Sequence, residues 1–235
     1  APVPVPPKDV TAKSGGSMGV MLSVLLGGLA AFRLRKLVLA AATVVPLTVS
    51  AQDLYLGVDL MSVSSDTSSA EVTDAMNAKG IAGTAVVDDK TRAGFRLYAG
   101  HKFTDSVSVE LGWLDAGEIT TLFSDVAPDT EAGDLESVWP TSGEGIELSL
   151  LWQPVTLAEL FTPGIRLGVW QMEVKDRFFD SADVSSQNQS KTVPFVELQG
   201  QLALNANWSL KMGVGYYDVE SADLRTAQLG LLRRF

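Results

Sequence analysis

The sequence predicts an all-β fold: an eight-stranded antiparallel up-and-down transmembrane β-barrel, preceded by apolar helical targeting segments. Eight segments after residue 53 alternate apolar and polar residues, which is typical of strands with one apolar and one polar face. Their connections alternate between short and long, as they do in membrane barrels. The polar faces carry acidic and basic residues, which are costly against hydrocarbon but can pair with one another inside a barrel.

The strand segments follow one another along the chain with the same period of two. They are LYLGVDLMSV (54–63), RAGFRLYAGHKF (92–103), VSVELGWL (107–114), IELSLLWQ (146–153), IRLGVW (165–170), VELQGQLAL (196–204), WSLKMGVGYY (208–217) and AQLGLLRRF (227–235). In the first segment, Leu54, Leu56 and Val58 share one face and Asp59 lies on the other. In the second to eighth segments, taken in chain order, the first residues of the apolar faces are Ala93, Val107, Ile146, Ile165, Val196, Trp208 and Ala227. Continuous apolar faces of this kind suit contact with lipid.

The connections place the short turns at one end of the barrel. "TDS", "NAN" and the longer "PVTLAELFTPG" join strands at that end, and "SADLR" is a short connection at the other. The stretches 64–91, 117–144 and 176–191 are predicted to be long polar loops. Five acids between residues 123 and 139 lack the spacing of a calcium loop, so we expect a solvated loop there; the alternative is loose divalent-cation contact with lipopolysaccharide.

Charged residues on the polar faces are predicted to plug the lumen as a network of ion pairs. An eight-stranded barrel has a lumen just wide enough for side chains. The predicted network consists of Asp59, Glu110, Glu147 and Glu197 with Arg96, Arg166, Lys211 and Arg234. A soluble lipocalin-like ligand-binding barrel is the alternative, with the apolar faces turned inward. The charged faces disfavour it, because ligand cavities are mostly apolar.

Aromatic residues are predicted to form a girdle at each membrane interface. Phe103, Trp152 and Trp208 fall near the short-turn end, and Trp113 and Tyr216 fall near the long-loop end. Amphipathic rings favour the two interfaces of a membrane.

The first 51 residues contain two apolar stretches that read as processing signals. The basic "RLRK", the apolar "LVLAAATVVPLTV" and the small-residue "VSA" predict a signal peptide over 35–51, cleaved between Ala51 and Gln52. Residues 8–36, with Asp-Val-Thr before Ser-Gly-Gly, resemble a GlyGly-type C-terminal sorting tail. We therefore interpret 1–34 as a sorting-tail-like or read-through segment, with a helical membrane anchor as the alternative. The barrel is predicted over 52–235.

Three stretches resemble the OmpA-like family of outer-membrane barrels over about residues 53–235. They are "YAGHKFTDSVSVELGW", "NANWSLKMGVGYYD" and the terminal "GLLRRF". The resemblance implies an integral protein of the bacterial outer membrane, in contact with outer-membrane lipid and lipopolysaccharide. It also implies that Gly230 and Phe235 belong to the signal read by the barrel-insertion machinery. Arg233 departs from the pattern, which usually has an apolar or aromatic residue there.

Composition narrows the function classes. The net charge is −10, and residues 1–51 contain one acidic and five basic residues, so the rest of the chain is even more acidic. An acidic protein repels the phosphates of nucleic acids, which argues against a nucleic-acid partner. With no cysteine and only His101, we expect no catalytic, metal-binding or cofactor-binding residues and no cofactor. No peptidoglycan-binding domain is recognisable. The sequence therefore predicts a structural or loop-mediated interaction role with at most small-ion leakage, and an unknown loop ligand. An outer-membrane lipid-modifying enzyme is the alternative.

Overall fold

Alternating side chains dictate the main architecture, because a strand with one charged and one apolar face is stable only between two different environments. The computed structural model describes residues 8–15, 53–88, 90–127, 130, 135, 142–158, 160–179, 184–219 and 223–235. Its elements are β1 Lys8–Gly15, β2 Leu54–Ser65, α1 Ser69–Ala78, β3 Thr84–Asp88, β4 Thr91–Thr104, β5 Val107–Asp115, β6 Glu118–Val126, β7 Glu144–Trp152, β8 Phe161–Phe179, β9 Val184–Ala203, β10 Trp208–Tyr217 and β11 Leu224–Arg234.

Eight of these strands close into a barrel. Around the ring the order is β2, β4, β5, β7, β8, β9, β10 and β11, and all described pairings between neighbours are antiparallel. The pairing of β11 with β2 and that of β8 with β9 leave no open edge in the ring. The predicted eight-stranded antiparallel up-and-down barrel is therefore confirmed.

The outer surface of the barrel is apolar and the inner surface is polar at mid-height. Leu60 is 69% exposed whereas the neighbouring Asp59 is fully buried, and the same alternation runs through β4, β7 and β11. Other exposed apolar residues of the belt include Leu56, Leu97, Leu111, Ile146, Leu148, Leu167, Leu198, Val214 and Leu229. This orientation is opposite to that of a lipocalin-like barrel, whose apolar faces point inward.

The interior is stacked in three layers along the barrel axis. At the short-turn end, Tyr55, Tyr98 and Leu232 form a small apolar cluster. The charged residues come next. On their loop side lies an apolar layer made of Met61, Val63, Leu114, Ala116, Trp170, Met172, Val174, Val193, Phe195, Tyr217, Val219 and Leu224. The predicted ion-pair plug is thus one of three layers of side chains in the lumen.

A small folded unit, which we call the cap, stands at the long-loop end. It consists of α1, β3, β6 and β1, with β6 paired to both β3 and β1. Its apolar core is formed by Val10, Ala12, Val72, Met76, Ala85, Val87, Ile119, Phe123, Val126 and Leu135. The prediction of polar loops over 64–91 and 117–144 is wrong for these parts of the chain. That over 176–191 is wrong as well, because β8 and β9 pair as far as Phe179 and Val184.

The start of α1 is fixed by a capping box. The Glu71 backbone N–H donates to Ser68 Oγ over 3.2 Å, and the Ser68 N–H donates to the Glu71 carboxylate over 2.6 Å. The hydrogen bond from the Ser68 backbone lowers the pKa of Glu71. Two further hydroxyls of α1, Ser69 Oγ and Thr73 Oγ1, accept from the backbone N–H groups of Val87 and Ala85, each over 3.0 Å. The helix therefore covers the outer edge of β3.

Replacing Ser68 with alanine is expected to destabilise α1 by about 1 kcal/mol, because one N-terminal amide loses its acceptor. Hydrogen exchange of the α1 amides measures the effect, and the amides of β4 serve as the internal control. Since the folded pKa of Glu71 is lowered, its contribution is present above the unfolded pKa and is lost as the pH falls through the folded value. Unchanged α1 exchange in the variant would contradict the capping role.

The predictions for the first 51 residues are either unsupported by the structure or lie outside the described residues. Lys8–Gly15 is a strand of the cap, with Val10 and Ala12 in the cap core, so the structure gives no support to the interpretation of residues 8–36 as a sorting tail. The signal peptide, its cleavage site at Ala51 and Gln52 and the apolar helical segments lie outside the described residues. Among the residues that are described, no helix is long and apolar enough to cross a membrane.

Candidate functional site

Seven strands each send one charged side chain to the middle of the lumen. Asp59 comes from β2, and the other members of this charge network are Arg96 from β4, Glu110 from β5, Glu147 from β7, Arg166 from β8, Glu197 from β9 and Lys211 from β10. Each is almost completely buried. They converge because their strand positions share both the inward face and a common height in the register.

Arg96 is the hub of the network. Its guanidinium donates from Nε to Glu147 over 2.5 Å, from Nη2 to Glu110 over 2.8 Å and from Nη1 to Asp59 over 3.2 Å. The planar group also lies 4.0 Å from the centre of the Tyr98 ring. One cation therefore holds carboxylates from three other strands.

Arg166 and Lys211 complete the network on the opposite side. Arg166 pairs with Glu197 through Nε and Nη2, and Nη1 donates to Glu147 over 3.2 Å. Lys211 Nζ lies 2.8 Å from an Asp59 oxygen and 3.3 Å from a Glu197 oxygen. Every cation bridges at least two carboxylates, so the pairs form one connected unit rather than isolated bridges.

Two tyrosine hydroxyls supply further donors to the carboxylates. Tyr55 donates to Glu110 over 2.8 Å, and Tyr217 donates to Glu147 over 2.9 Å. The seven charged members comprise four acids and three bases, and thus a formal excess of one negative charge. The neutral hydroxyl donors offset part of this excess by hydrogen bonding.

Gly230 makes room for the network in the eighth strand. It faces Asp59 across the β11–β2 ladder, and a Cβ atom there would lie 2.0 Å from Asp59 Oδ1 and 2.4 Å from the Val58 carbonyl oxygen. Any side chain would therefore force the Asp59 carboxylate and the adjacent backbone apart. This packing requirement exists independently of the insertion signal predicted to include Gly230.

Replacing Gly230 with alanine is expected to lower the free energy of unfolding by about 1–3 kcal/mol through overpacking. Urea unfolding of the inserted protein measures this loss. Ala227→Gly, an outward-facing change on the same strand, is the matched control and should cost less than half as much. A Gly230→Ala variant that is as stable as the parent yet inserts poorly would assign this glycine to the insertion signal alone.

Arg234 does not join the network, and this part of the prediction is wrong. It lies at the short-turn mouth, where its Nη2 donates to Gln201 over 3.2 Å. The mouth contains a cavity of about 300 Å³, lined by Lys102, Asp105, Gln153, Thr156, Leu160, Thr162, Gln201, Ala203, Ser209 and Arg234. Arg234 has the inward parity of the network, but it lies two ladder pairs below Leu232, too near the end of the strand.

The residues predicted to form the aromatic girdles all lie on the outward face. Phe103, Trp152 and Trp208 are exposed near the short turns, while Tyr216 is exposed and Trp113 half-buried toward the loop end. Phe235 is also exposed, and its backbone N–H donates to the Leu54 carbonyl over 3.2 Å. Arg233 lies beside it, 5.0 Å from the Phe235 ring and 5.7 Å from that of Trp208.

The cap presents a surface of apolar and hydroxyl side chains at the loop end, which the sequence does not predict. Val86 of β3 and Leu122 of β6 are exposed cross-strand partners, and Leu122 also pairs with Thr11 of β1. Thr120 and Ser124 lie on the same face of β6. The stretches "TAVVD" and "EITTLFSDV" are rich in β-branched residues but do not alternate apolar and polar residues, and they lie within stretches that otherwise read as polar loops.

His101 lies at the short-turn end with its ring edge-on to Phe103 at 4.8 Å, and its Nδ1 has no hydrogen-bond partner within the described ranges. In the described part of the chain, no group of three or more histidine or acidic side chains is arranged to hold a metal ion.

No protein-family model matches the chain, and no curated protein matches it. Solved structures similar to it include neisserial surface protein A (13% identity, 79% of this chain, 98% of that chain, TM-score 0.46). The N-terminal β-barrel domain of Pseudomonas aeruginosa OprF is 12% identical over 78% of this chain and 98% of that chain, with a TM-score of 0.43. Ail, the attachment invasion locus protein of Yersinia pestis, is 17% identical over 77% and 96%, with a TM-score of 0.44. Identities this low do not place the chain in a family.

Proposed function

We propose that this chain is an integral protein of the bacterial outer membrane with a sealed barrel and an interaction role carried by its cap. The observation that carries the proposal is that the structure combines a filled barrel with a separate folded unit at one end. An apolar belt surrounds a lumen closed by buried ion pairs and the apolar layer. Among the described residues, the largest folded unit outside the barrel stands at the long-loop end. A filled barrel is suited to holding a surface unit rather than to passing solutes.

Outer-membrane lipid, lipopolysaccharide and the barrel-insertion machinery are the proposed general partners. The outward aromatic and aliphatic residues support contact with lipid. Phe235 supports recognition during insertion, since its side chain is exposed at the end of β11. The ligand of the loop end is proposed to contact the cap surface around Val86 and Leu122.

The proposal also includes the absence of enzyme activity. Each cation of the charge network is held by two or more carboxylates, which favours a structural over an acid–base role. The position of His101 at the short-turn mouth, with Phe103 against its ring, gives the lipid-modifying alternative no specific support.

Fractionation, gel mobility and conductance together test this function. The full chain is expressed in a Gram-negative host, and the outer-membrane fraction is run in SDS with and without boiling. We expect the protein in that fraction, with a mobility that changes on boiling because a closed barrel resists detergent. In planar bilayers we expect no conductance above that of protein-free membranes. Recovery in the soluble fraction would overturn the location, and steady open channels would overturn the sealed lumen.

A further inference from the structure

The cap contains a strand that is paired along both edges. Seven positions of β1 pair with β6, and Thr11, Ala12, Lys13 and Ser14 also pair with Phe179, Phe178, Arg177 and Asp176 of β8. β1 is thus the bridge that joins the cap sheet to the extended end of the barrel. Without it, β6 and β8 would face each other across a gap one strand wide, each with unpaired backbone groups.

The side chains of β1 show what kind of segment fits this gap. Val10 and Ala12 point into the cap core and are buried, whereas Thr11 and Lys13 lie on the other face and are half-buried. Lys13 Nζ lies 3.0 Å from a Glu118 oxygen, in an ion pair whose two side chains are each 38% exposed. The gap therefore accepts an extended backbone with small apolar residues at alternate positions and a basic residue opposite Glu118.

The predicted cleavage between Ala51 and Gln52 would remove β1 from the mature protein. β1 precedes the proposed cleavage site after Ala51, and it lies at the long-loop end of the barrel. β2, by contrast, begins at the short-turn end, where Leu54 pairs with His101. Of the described elements, cleavage after Ala51 would remove only β1. The closed ring of eight strands would stay complete, because all its strands lie after residue 53.

We propose that in the mature protein the gap between β6 and β8 is a strand-acceptor site for an extended polypeptide segment of a partner protein. The backbone of that segment pairs with both edges, its small apolar side chains enter the cap core and a basic side chain meets Glu118. The outer edge of β3 does not compete for this segment, because Ser69 and Thr73 of α1 already accept from its N–H groups. This inference rests on the proposed function and on the predicted cleavage after Ala51. It places the partner segment beside Leu122 of the proposed ligand surface, the residue that pairs with Thr11 of β1.

A peptide with the sequence of residues 8–15, KDVTAKSG, is the probe. The full chain is expressed, the protein is isolated from the membrane fraction, and its amino terminus is sequenced. Binding of the fluorescent peptide is then followed by polarisation. We expect a terminus at Gln52 and saturable binding. A peptide with Ala12→Pro should bind at least tenfold more weakly, because proline removes a ladder donor from a strand that is paired on both sides. A peptide with Val10→Asp should also lose at least tenfold, because it buries a charge.

The ion pair provides a second, milder test of register. A peptide with Lys13→Glu should bind the parent protein about two- to fivefold more weakly, as for an exposed ion pair, and Glu118→Lys in the protein should restore that loss. Isolated protein that retains residues 8–15 would overturn the proposal, because the site would then be filled by the chain itself. Absence of peptide binding, or binding that Ala12→Pro leaves unchanged, would overturn it as well. If the boiling-dependent gel shift is still present in those cases, the proposed barrel function stands.

Discussion

Replacing Arg96 with methionine is expected to lower the free energy of unfolding of the barrel by about 3–5 kcal/mol. The guanidinium holds Asp59, Glu110 and Glu147 together, and each of these carboxylates is buried. Without the cation they would face one another in a dry interior with too few donors. Urea unfolding, followed by the fraction of protein that keeps the unboiled gel mobility, measures the change.

The matched control is an arginine whose ion pair is exposed. Arg225 lies 3.3 Å from Asp66, and the two side chains are 68% and 40% exposed, so Arg225→Met should change stability by no more than about 1 kcal/mol. Adding Glu147→Gln to Arg96→Met removes one of the stranded charges and should restore part of the loss. A loss at Arg96 as small as that at Arg225 would show that water reaches the network and screens it.

The faces of the barrel strands follow from sequence because a strand has a period of two. Asp59 and Leu60 are adjacent, and one of them must be inside when the other is outside. Once a row of charges is assigned to one face, the cost of charge in hydrocarbon decides which face points inward. This argument needs no knowledge of neighbouring strands, which is why the closed ring and its outer belt could be predicted.

The height of a residue along the barrel axis could not be predicted in the same way, because it depends on the register between strands. Parity places Arg234 on the inner face together with Lys211, but the ladders put Arg234 at the mouth and Lys211 beside Asp59. Register arises from contacts between strands distant in sequence, and residue spacing within one strand does not report them. The charge network could therefore be proposed as a set of residues but not as a geometry.

The cap could not be predicted from the sequence, because its core also depends on contacts between stretches that are distant in the chain. Its core joins Val10, Val72, Ile119 and Leu135, which come from four separate stretches of the chain. Each stretch alone is too short and too polar to indicate a buried face. Pairing between β1 and β6 spans more than a hundred residues, so only the assembled sheet reveals that their small apolar residues share one core.

The apolar layer is not among the sequence predictions, although the parity of its strands indicates it. Trp170 follows Arg166 and Gly168 at steps of two, so the same alternation that buries Arg166 also buries Trp170. Tyr217 is likewise two pairs from Gly215 on the inner face of β10. Aromatic residues near strand ends suggest an interfacial girdle, but parity assigns these two to the interior.

Replacing Trp170 with alanine is expected to cost about 3–5 kcal/mol of unfolding free energy, because it leaves a cavity in the apolar layer. Trp170 is fully buried, its ring meets Tyr217 edge-on at 5.8 Å, and Tyr217 stacks on Phe195 at 4.8 Å. Trp170→Phe is the matched control. The indole Nε1 has no hydrogen-bond partner among the described residues, so phenylalanine loses volume but no hydrogen bond and should cost less.

Conductance measurements distinguish the charge network from the apolar layer as the part that closes the lumen. The charge network lies on the short-turn side of Trp170, and in the Trp170→Ala variant it still fills the cross-section with side chains from seven strands. We therefore expect the variant to be less stable in urea and yet as non-conducting as the parent in planar bilayers. Open channels from this single change would mean that water and ions already pass the network and that the apolar layer alone closes the barrel.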